Sequence, residues 1–251
     1  RSSAASDVYK RQVLAMYEIN DMTFKYKKTT YPALKNISFK LSPGVLNVLV
    51  GENGAGKTTL MDCMAGMHKV DALHQLPPQR DMIYMTQNMF FTSYTTGQDI
   101  IQLIKHMGSA KECAQFDDKI KQDLEPKELD KLDHLSHLSI GKMSEGEKKW
   151  LYITLLSALN RKLYLFDEPT SGVDPRSRKL IIKRLKALAK DKTVLISTHQ
   201  LQDLYHSTSQ IIFIHDGKKI YDDTFDQWLI DMKTEDPDKA FEDTISQEID
   251  V

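Results

Sequence analysis

The most constraining feature of this chain is the segment 51–59, which reads Gly-Glu-Asn-Gly-Ala-Gly-Lys-Thr-Thr. It fills every required position of the phosphate-binding loop pattern G-x-x-x-x-G-K-[ST]. The apolar run 45–50 before it predicts a buried strand, and residues 58–67 after it predict a helix. This strand–loop–helix order is the context that gives the pattern its meaning, so the sequence predicts a phosphate-loop NTPase core.

The loop can hold a polyphosphate in two ways. Its glycines allow successive backbone N–H groups to turn inward around the phosphates, and the next helix adds the positive end of its dipole. Lys57 is expected to reach the β- and γ-phosphates, and the Thr58 hydroxyl is expected to be a ligand of Mg²⁺. The predicted nucleotide-binding residues of this segment are Gly51, Glu52, Asn53, Gly54, Ala55, Gly56, Lys57, Thr58 and Thr59.

Two adjacent carboxylates follow a second apolar run. Residues 163–166, Leu-Tyr-Leu-Phe, predict a strand that ends before Asp167 and Glu168. Ligands of open α/β sheets bind beyond the carboxyl ends of strands. Asp167 is therefore placed to hold Mg²⁺ through water, and Glu168 to polarise a water for attack on the γ-phosphate. Alone, the pair is as typical of a solvated acidic turn, but its occurrence with a phosphate loop favours the catalytic interpretation.

The composition excludes some classes of function. Lys and Arg number 34 against 35 Asp and Glu, and this balance argues against a dedicated nucleic-acid binder. Two cysteines, Cys63 and Cys113, fit a reduced cytoplasmic protein. No apolar run approaches the length of a membrane span and no signal peptide is visible. We therefore expect the chain to be cytoplasmic and to act at a membrane only through another polypeptide.

The pattern of apolar segments predicts an α/β fold. The fold class is a phosphate-loop NTPase core, with a mostly parallel sheet, helices on both faces, an N-terminal antiparallel β part and an inserted helical subdomain. The predicted strands are 17–24, 37–41, 45–50, 83–85, 163–166, 194–196 and 211–214, with a helix at 175–189 and a hairpin through Asp216 and Gly217 to 218–221.

Domain boundaries follow from changes in this pattern. The segment 1–12 is polar and lacks a helix or strand period, and its part Asp-Val-Tyr-Lys-Arg-Gln matches a translated sequencing adapter. We expect it to be non-native or disordered, with Met16 as the natural start. We expect residues 13–251 to form a single domain. Its predicted parts are a nucleotide-binding core at 13–90 and 160–222, a helical subdomain at 91–159 and a C-terminal helical tail at 223–251.

Together with the phosphate loop, further motifs resemble those of ATP-binding cassette (ABC) transporter ATPases, in that family's order. Residues 167–175, Asp-Glu-Pro-Thr-Ser-Gly-Val-Asp-Pro, resemble the family's DEPTSGLDP stretch. Residues 143–147, Met-Ser-Glu-Gly-Glu, resemble its signature LSGGQ. Ser-Thr-His at 197–199 is similar to its switch-histidine motif, and Gln87 to its glutamine loop. Tyr26 lies where the family has an aromatic residue.

The resemblance implies a role for each matching residue. ATP would be the nucleotide, with Tyr26 stacked on adenine and Tyr31 as the alternative. Gln87 would contact Mg²⁺ and sense a membrane partner. His199 would contact the γ-phosphate. Ser144 and Gly146 would act in trans, on the nucleotide of a second subunit. The implied metal ligands are Thr58, Gln87 and Asp167, and the implied catalytic residues are Lys57, Gln87, Glu168 and His199.

The signature departs from the family pattern at Glu145 and Glu147. Ser144 and Glu147 also form a capping box before an apolar run, which predicts a well-capped helix. The two interpretations are compatible, because a serine-capped helix N-terminus is an anion site. A carboxylate at position 145 would repel a phosphate held there, although salt would screen an exposed charge.

The resemblance thus predicts an ATP-hydrolysing subunit that energises a separate multi-span membrane permease, in the direction of export. It also implies a dimer, either of identical chains or with a related chain, on the inner face of the cell membrane. No nucleic-acid partner is expected. Two alternatives stay open: an ABC ATPase that acts on ribosomes or nucleic acid, and a nucleotide-binding regulatory module with little hydrolysis.

Overall fold

The computed structural model describes residues 16–70, 73–204 and 208–249. The predicted non-native segment 1–12 lies outside these residues. The described chain contains a two-stranded sheet, a six-stranded sheet and helices that pack on both of the larger sheet's faces.

The two-stranded sheet pairs β1 (Tyr17–Phe24) with β2 (Leu34–Leu41) in antiparallel register. β1 has the predicted bounds, whereas β2 begins three residues before the predicted start at Ile37. Asn36 explains the difference, because its φ of 51° interrupts the alternation of apolar residues within the strand. The periodicity therefore identifies only the second half of β2.

The larger sheet has the strand order β4-β5-β6-β3-β7-β8. The first five strands in this order are parallel, and β8 pairs with β7 in antiparallel register. Asp216 and Gly217 form the turn between β7 and β8, both with positive φ, as the hairpin pattern predicts. The strands are β3 (Leu46–Val50), β4 (Met82–Met85), β5 (Leu163–Phe166), β6 (Thr193–Thr198), β7 (Ser209–His215) and β8 (Lys218–Thr224).

The central strands are buried on both faces. In β3, Val48 belongs to one hydrophobic cluster and Leu49 to the other, and in β5 Tyr164 and Leu165 divide in the same way. Such strands need apolar residues at every position, which explains the continuous apolar runs in the sequence. The architecture confirms the predicted α/β fold with its N-terminal antiparallel part.

Eight α-helices lie within the described residues. None of them is long and apolar enough to cross a membrane. They are α1 (Lys57–Met64), α2 (Gly97–His106), α3 (Ala110–Asp123), α4 (Pro126–Ser136), α5 (Glu145–Ala158), α6 (Pro175–Ala189), α7 (Phe225–Asp231) and α8 (Pro237–Ile249).

Helix α1 is shorter than predicted. It ends at Met64 rather than at residue 67, because Gly66 adopts a φ of 76° that no right-handed helix can continue. Helices α2, α3 and α5 begin at capping boxes, each formed by a Ser or Thr and an acidic residue three positions later. These local signals explain why the segment between β4 and β5 is helical.

The strand order brings three loops to one edge of the sheet. β3 lies beside β6, and β6 lies beside β5, so the carboxyl ends of all three point to the same edge. The phosphate-binding loop follows β3, Asp167 and Glu168 follow β5, and His199 follows β6. The fold therefore places the sequence-predicted site at one location.

Candidate functional site

The phosphate-binding loop is packed tightly against the β7–β8 hairpin. A Cβ atom on Gly51 would lie 2.3 Å from the carbonyl oxygen of Ile214. Gly56 is the N-cap residue of α1, and its φ of 108° lies in the region that favours glycine. A Cβ there would also lie 2.9 Å from Cδ2 of Leu34. The N–H of Gly217 donates to the carbonyl of Ala55 at 3.0 Å. Glycine is required at both loop positions because the chain passes close to its neighbours there.

Lys57 lies between the loop and the carboxylate of Glu168. Its buried Nζ donates to the carbonyl oxygens of Gly51 at 2.7 Å and Glu52 at 3.0 Å. The same atom is 3.6 Å from Oε1 of Glu168. The ammonium is thus held at the mouth of the loop, where a bound polyphosphate would take over these contacts.

Thr58 and Asp167 form the part of the site that could hold a metal ion. Oγ1 of Thr58 donates to Oδ2 of Asp167 at 2.7 Å, although the two residues are 109 positions apart. Asp167 is buried, and its other carboxylate oxygen accepts from Oγ of Ser197 at 2.5 Å. A hydroxyl and a carboxylate that meet beside a phosphate site are the oxygen ligands that Mg²⁺ prefers, so these residues fit the predicted ion.

Glu168 is fixed through its backbone and through its side chain. Its φ is 47°, in the left-handed region that a residue with a side chain seldom adopts. Its N–H donates to Oγ of Ser197 at 2.7 Å, and its carbonyl accepts from Nζ of Lys149 at 2.9 Å. Nδ1 of His199 is 3.0 Å from each of its carboxylate oxygens. A buried carboxylate so positioned can accept a proton from a water in the cleft.

Gln87 shares a cleft with the phosphate-binding loop. It follows β4, its side chain is exposed, and it faces a cleft of about 240 Å³. The structure thus brings Gln87 together with the loop and the carboxylate of Glu168. The cleft is lined by Asn53, Gly54, Gly56, Lys57, Thr58, Thr59, Gln87 and Glu168.

Of the two candidate aromatics, Tyr26 is the one beside the loop. Its hydroxyl is 3.0 Å from Oγ1 of Thr59. Its ring packs edge-on against Phe24 and His68, with centroid distances of 4.8 and 5.5 Å. Tyr31 is 79% exposed. These contacts favour Tyr26 over Tyr31 as the predicted adenine contact.

The signature segment forms the capped start of α5. Oγ of Ser144 accepts from the N–H of Glu147, and a carboxylate oxygen of Glu147 accepts from the N–H of Ser144. Gly146 is buried against α6, where a Cβ would lie 2.6 Å from Cβ of Ser177. Neither Ser144 nor Gly146 is among the described residues that line the cleft with Gln87. Their predicted contact with a phosphate of a second subunit stays a prediction.

Glu145 lies beside a positive charge. Its exposed carboxylate is 2.7 Å from Nζ of Lys148, one turn along α5. Both residues border a second cleft of about 270 Å³, which also includes Gln87, Phe91 and Tyr152. The carboxylate is therefore partly compensated by Lys148, which the sequence pattern had not indicated.

Sequence reasoning assigned no role to two residues of this site, Ser197 and Lys149, although Ser197 belongs to the motif at 197–199. Ser197 follows Ile196, which pairs with Phe166, so the strand register brings Ser197 beside Asp167. A polar residue at the end of a central strand is the signal that could have identified it. Lys149 carries no such signal, because only the packing of α5 against the loop after β5 brings it to Glu168.

Comparison with known proteins identifies the family of this chain. The family profile described as ABC transporter matches residues 34–171, and His199 lies beyond the matched part. The ATP-dependent lipid A-core flippase of Photobacterium profundum is 29% identical over 221 residues, which cover 81% of this chain but 37% of the flippase. The phosphate import ATP-binding protein PstB 2 of Aliivibrio fischeri is 28% identical over 225 residues, which cover 81% of each protein.

A solved structure of the ATP-binding subunit of an ABC transporter superposes with a TM-score of 0.74. It covers 92% of this chain and 100% of the solved chain, at 21% identity, and so supports the fold. The profile match extends over more than half of the 251 residues. The chain therefore belongs to the ABC transporter family, as an ATP-binding domain.

Proposed function

We propose that this chain binds ATP with Mg²⁺ and hydrolyses it to energise a separate membrane-spanning partner, in the direction of export. The observation that carries the proposal is that Lys57 of the phosphate-binding loop and His199 both lie against the carboxylate of Glu168. Nζ of Lys57 is 3.6 Å from Glu168, and Nδ1 of His199 is 3.0 Å from it. This grouping of a cation, a carboxylate and a histidine beside a phosphate-binding loop supports a site in which a γ-phosphate would meet its attacking water.

The hydrolytic chemistry divides among the residues of this chain. Lys57 and the loop N–H groups would bind the β- and γ-phosphates. His199 would contact the γ-phosphate, as the resemblance implies, and would also orient the carboxylate of Glu168. Glu168 would accept the proton of the water that attacks the γ-phosphate. Thr58 and Asp167 would hold Mg²⁺, which supplies positive charge against the phosphate oxygens. Gln87, which lines the same cleft as Thr58, would complete the metal site.

The proposal includes a second ATP-binding subunit. The N-terminus of α5 carries a serine cap, and a helix N-terminus suits an anion, yet Ser144 does not line the cleft of its own chain. A head-to-tail dimer would bring this helix to the γ-phosphate bound by the partner subunit. We infer that either a second copy or a related chain completes each site.

The membrane partner is proposed to dock on the cleft that Gln87 shares with α5. Phe90 lines this cleft and is 90% exposed, and Tyr94, four residues later, is 88% exposed. Large exposed aromatics are typical of protein interfaces. The chain would then sit on the cytoplasmic face of the membrane.

We favour export because the stretch 170–175 and the short helical insertion resemble exporter ATPases; the relatives include both a flippase and an import protein.

The experiment for this proposal is capture of the partner from native membranes. Tagged wild-type chain and a Phe90→Ser, Tyr94→Ser variant would be compared in the same extract. We expect the wild type to retain a multi-span membrane protein that the variant loses, and the captured complex to hydrolyse ATP. Recovery of ribosomes or nucleic acid, released as salt is raised, would favour the alternative class. Recovery of a membrane protein without ATP hydrolysis would favour a regulatory module.

A further inference from the structure

Lys149 joins the signature helix to the loop that carries Glu168. It lies in the second turn of α5, and only 8% of the residue is exposed. Its Nζ donates to the carbonyl oxygen of Glu168 at 2.9 Å and to that of Ser171 at 2.7 Å. Two of the three ammonium hydrogens are thus directed at one short loop, which begins 19 residues farther along the chain.

A lysine in this place is costly unless it has partners. The next residues of α5, Trp150 and Leu151, are fully buried in the hydrophobic core. Burial lowers the pKa of Lys149, while the carboxylates of Glu145, Glu168 and Asp167 act in the opposite direction. Desolvating an ammonium is unfavourable, and hydrogen bonds to the two carbonyls offset that cost. A methionine would fill the same volume without the cost, so the charge itself calls for an explanation.

The backbone conformation of Glu168 explains why a charged residue is present at position 149. Its positive φ is unfavourable for a residue with a side chain, so neighbouring contacts must hold it. Ser197 holds its N–H, and Lys149 holds its carbonyl. The N–H of Ser171 donates to the same carbonyl at 3.2 Å, which closes the turn. Lys149 thus binds the carbonyl oxygens of the first and last residues of this turn, Glu168 and Ser171.

We propose that Lys149 is a positioning residue for ATP hydrolysis, which holds the turn 168–171 so that the Glu168 carboxylate stays against His199. The inference rests on the proposed role of Glu168 as the base. Lys149 acts through that residue and does not itself contact the reacting atoms. It also borders the cleft with Gln87, so the same side chain connects the proposed docking surface to the catalytic turn.

The test compares kcat and KM for ATP in three variants of the full chain. Lys149→Met removes the charge but keeps the buried volume, and Lys149→Arg retains hydrogen-bond donors. Lys192→Met is the matched control, because Lys192 is also a partly buried lysine with a pKa lowered by burial, and its partner is Asn160, away from the catalytic turn. Lys149→Gln replaces Lys149→Met if the latter does not fold.

We expect Lys149→Met to lower kcat at least about tenfold while KM for ATP changes less than about threefold. Lys149→Arg should recover most of the loss, and Lys192→Met should keep the wild-type kcat. In a Glu168→Gln background, Lys149→Met should lower residual turnover no further, because the two residues act as one unit.

Three results would overturn the inference. They are a near-normal kcat in folded Lys149→Met, an equal loss in Lys192→Met, and a full loss that persists in the Glu168→Gln background. Failure of the proposed function gives a different result, since Glu168→Gln alone would then leave turnover unchanged.

Discussion

Nδ1 of His199 lies 3.0 Å from each carboxylate oxygen of Glu168, although the residues are 31 positions apart in the chain. The pairing arises because β5 and β6 are adjacent parallel strands whose carboxyl ends meet at one edge of the sheet. The Glu168 side chain is buried, whereas 37% of the His199 side chain is exposed. We propose from this contact that His199 orients the carboxylate of Glu168.

Replacing His199 by alanine tests that role. The variant should bind ATP with near-normal affinity but hydrolyse it roughly 10²-fold more slowly, because the carboxylate loses its orienting partner. Steady-state hydrolysis and nucleotide binding measure the two effects separately. His137→Ala is the control, since His137 is an exposed residue at the end of α4. Equal activity in both variants would show that Glu168 needs no histidine.

Ser197→Ala removes two hydrogen bonds within the site. The buried hydroxyl donates to Asp167 and accepts the N–H of Glu168, and the packed strand end leaves both groups without an easy substitute partner. We expect a loss of about 2 kcal/mol in the free energy of unfolding, together with slower hydrolysis. Urea denaturation gives the first quantity. The exposed Ser246→Ala should change it by less than about 0.5 kcal/mol, and an equally small change in Ser197→Ala would count against this assignment.

Glu112 ties α3 to the start of β5, and its contribution to stability depends on pH. Burial alone would raise the pKa of its carboxyl, but hydrogen bonds from the N–H groups of Ser109 and Asn160 and from Arg161 lower the pKa to about 2. A depressed pKa stabilises the fold above the pKa of the unfolded chain and ceases to do so as pH falls through the folded value.

Glu112→Gln should therefore be less stable than the wild type at pH 7, by about 2 kcal/mol. The difference should narrow as pH falls from about 4.5 toward 2, since the wild-type carboxyl then becomes protonated. Thermal denaturation of the wild type and of Glu112→Gln across this pH range measures the difference in stability. A difference that is the same at every pH would show that the carboxylate charge contributes nothing.

Glu145→Gly tests the unusual signature. Removing the carboxylate leaves the charge of Lys148 unpaired beside the start of α5, so ATP-driven dimerisation should become tighter at low salt. Glycine in a first helical turn costs up to about 1 kcal/mol relative to alanine, so the monomer should be slightly less stable. Dimer affinity, measured in the Glu168→Gln background, reports the effect on dimerisation. Thermal denaturation of the monomer reports the effect of glycine on helix stability. Unchanged or weaker dimerisation at low salt would mean that Glu145 does not face the phosphate.

Much of the fold could be predicted because its signals are local. The bounds of β5 follow from a continuous apolar run that ends at two carboxylates. Those of α6 follow from Pro175 in the first turn after the N-cap Asp174. The early end of α1 and the irregular start of β2 depend on single residues with positive φ, Gly66 and Asn36, which periodicity does not reveal.

Some residues of the site could be predicted from the sequence and others could not. Lys57, Asp167 and Glu168 could be placed from motifs and from the rule that ligands bind at the carboxyl ends of strands. Lys149 could not, because it reaches Glu168 only through the packing of α5 on the loop after β5. The pairing of Glu145 with Lys148 shows that charge on a helix depends on neighbours one turn away as well as on the motif.

The central claim is that one site binds ATP through Lys57 and hydrolyses it through Glu168, and ATP turnover with dimer formation tests it most directly. Wild type, Lys57→Ala and Glu168→Gln would be purified and given ATP and Mg²⁺. We predict that Glu168→Gln hydrolyses ATP roughly 10²–10⁴-fold more slowly yet forms an ATP-dependent dimer on size-exclusion chromatography, and that folded Lys57→Ala does neither. Near-normal hydrolysis by either variant would contradict the account.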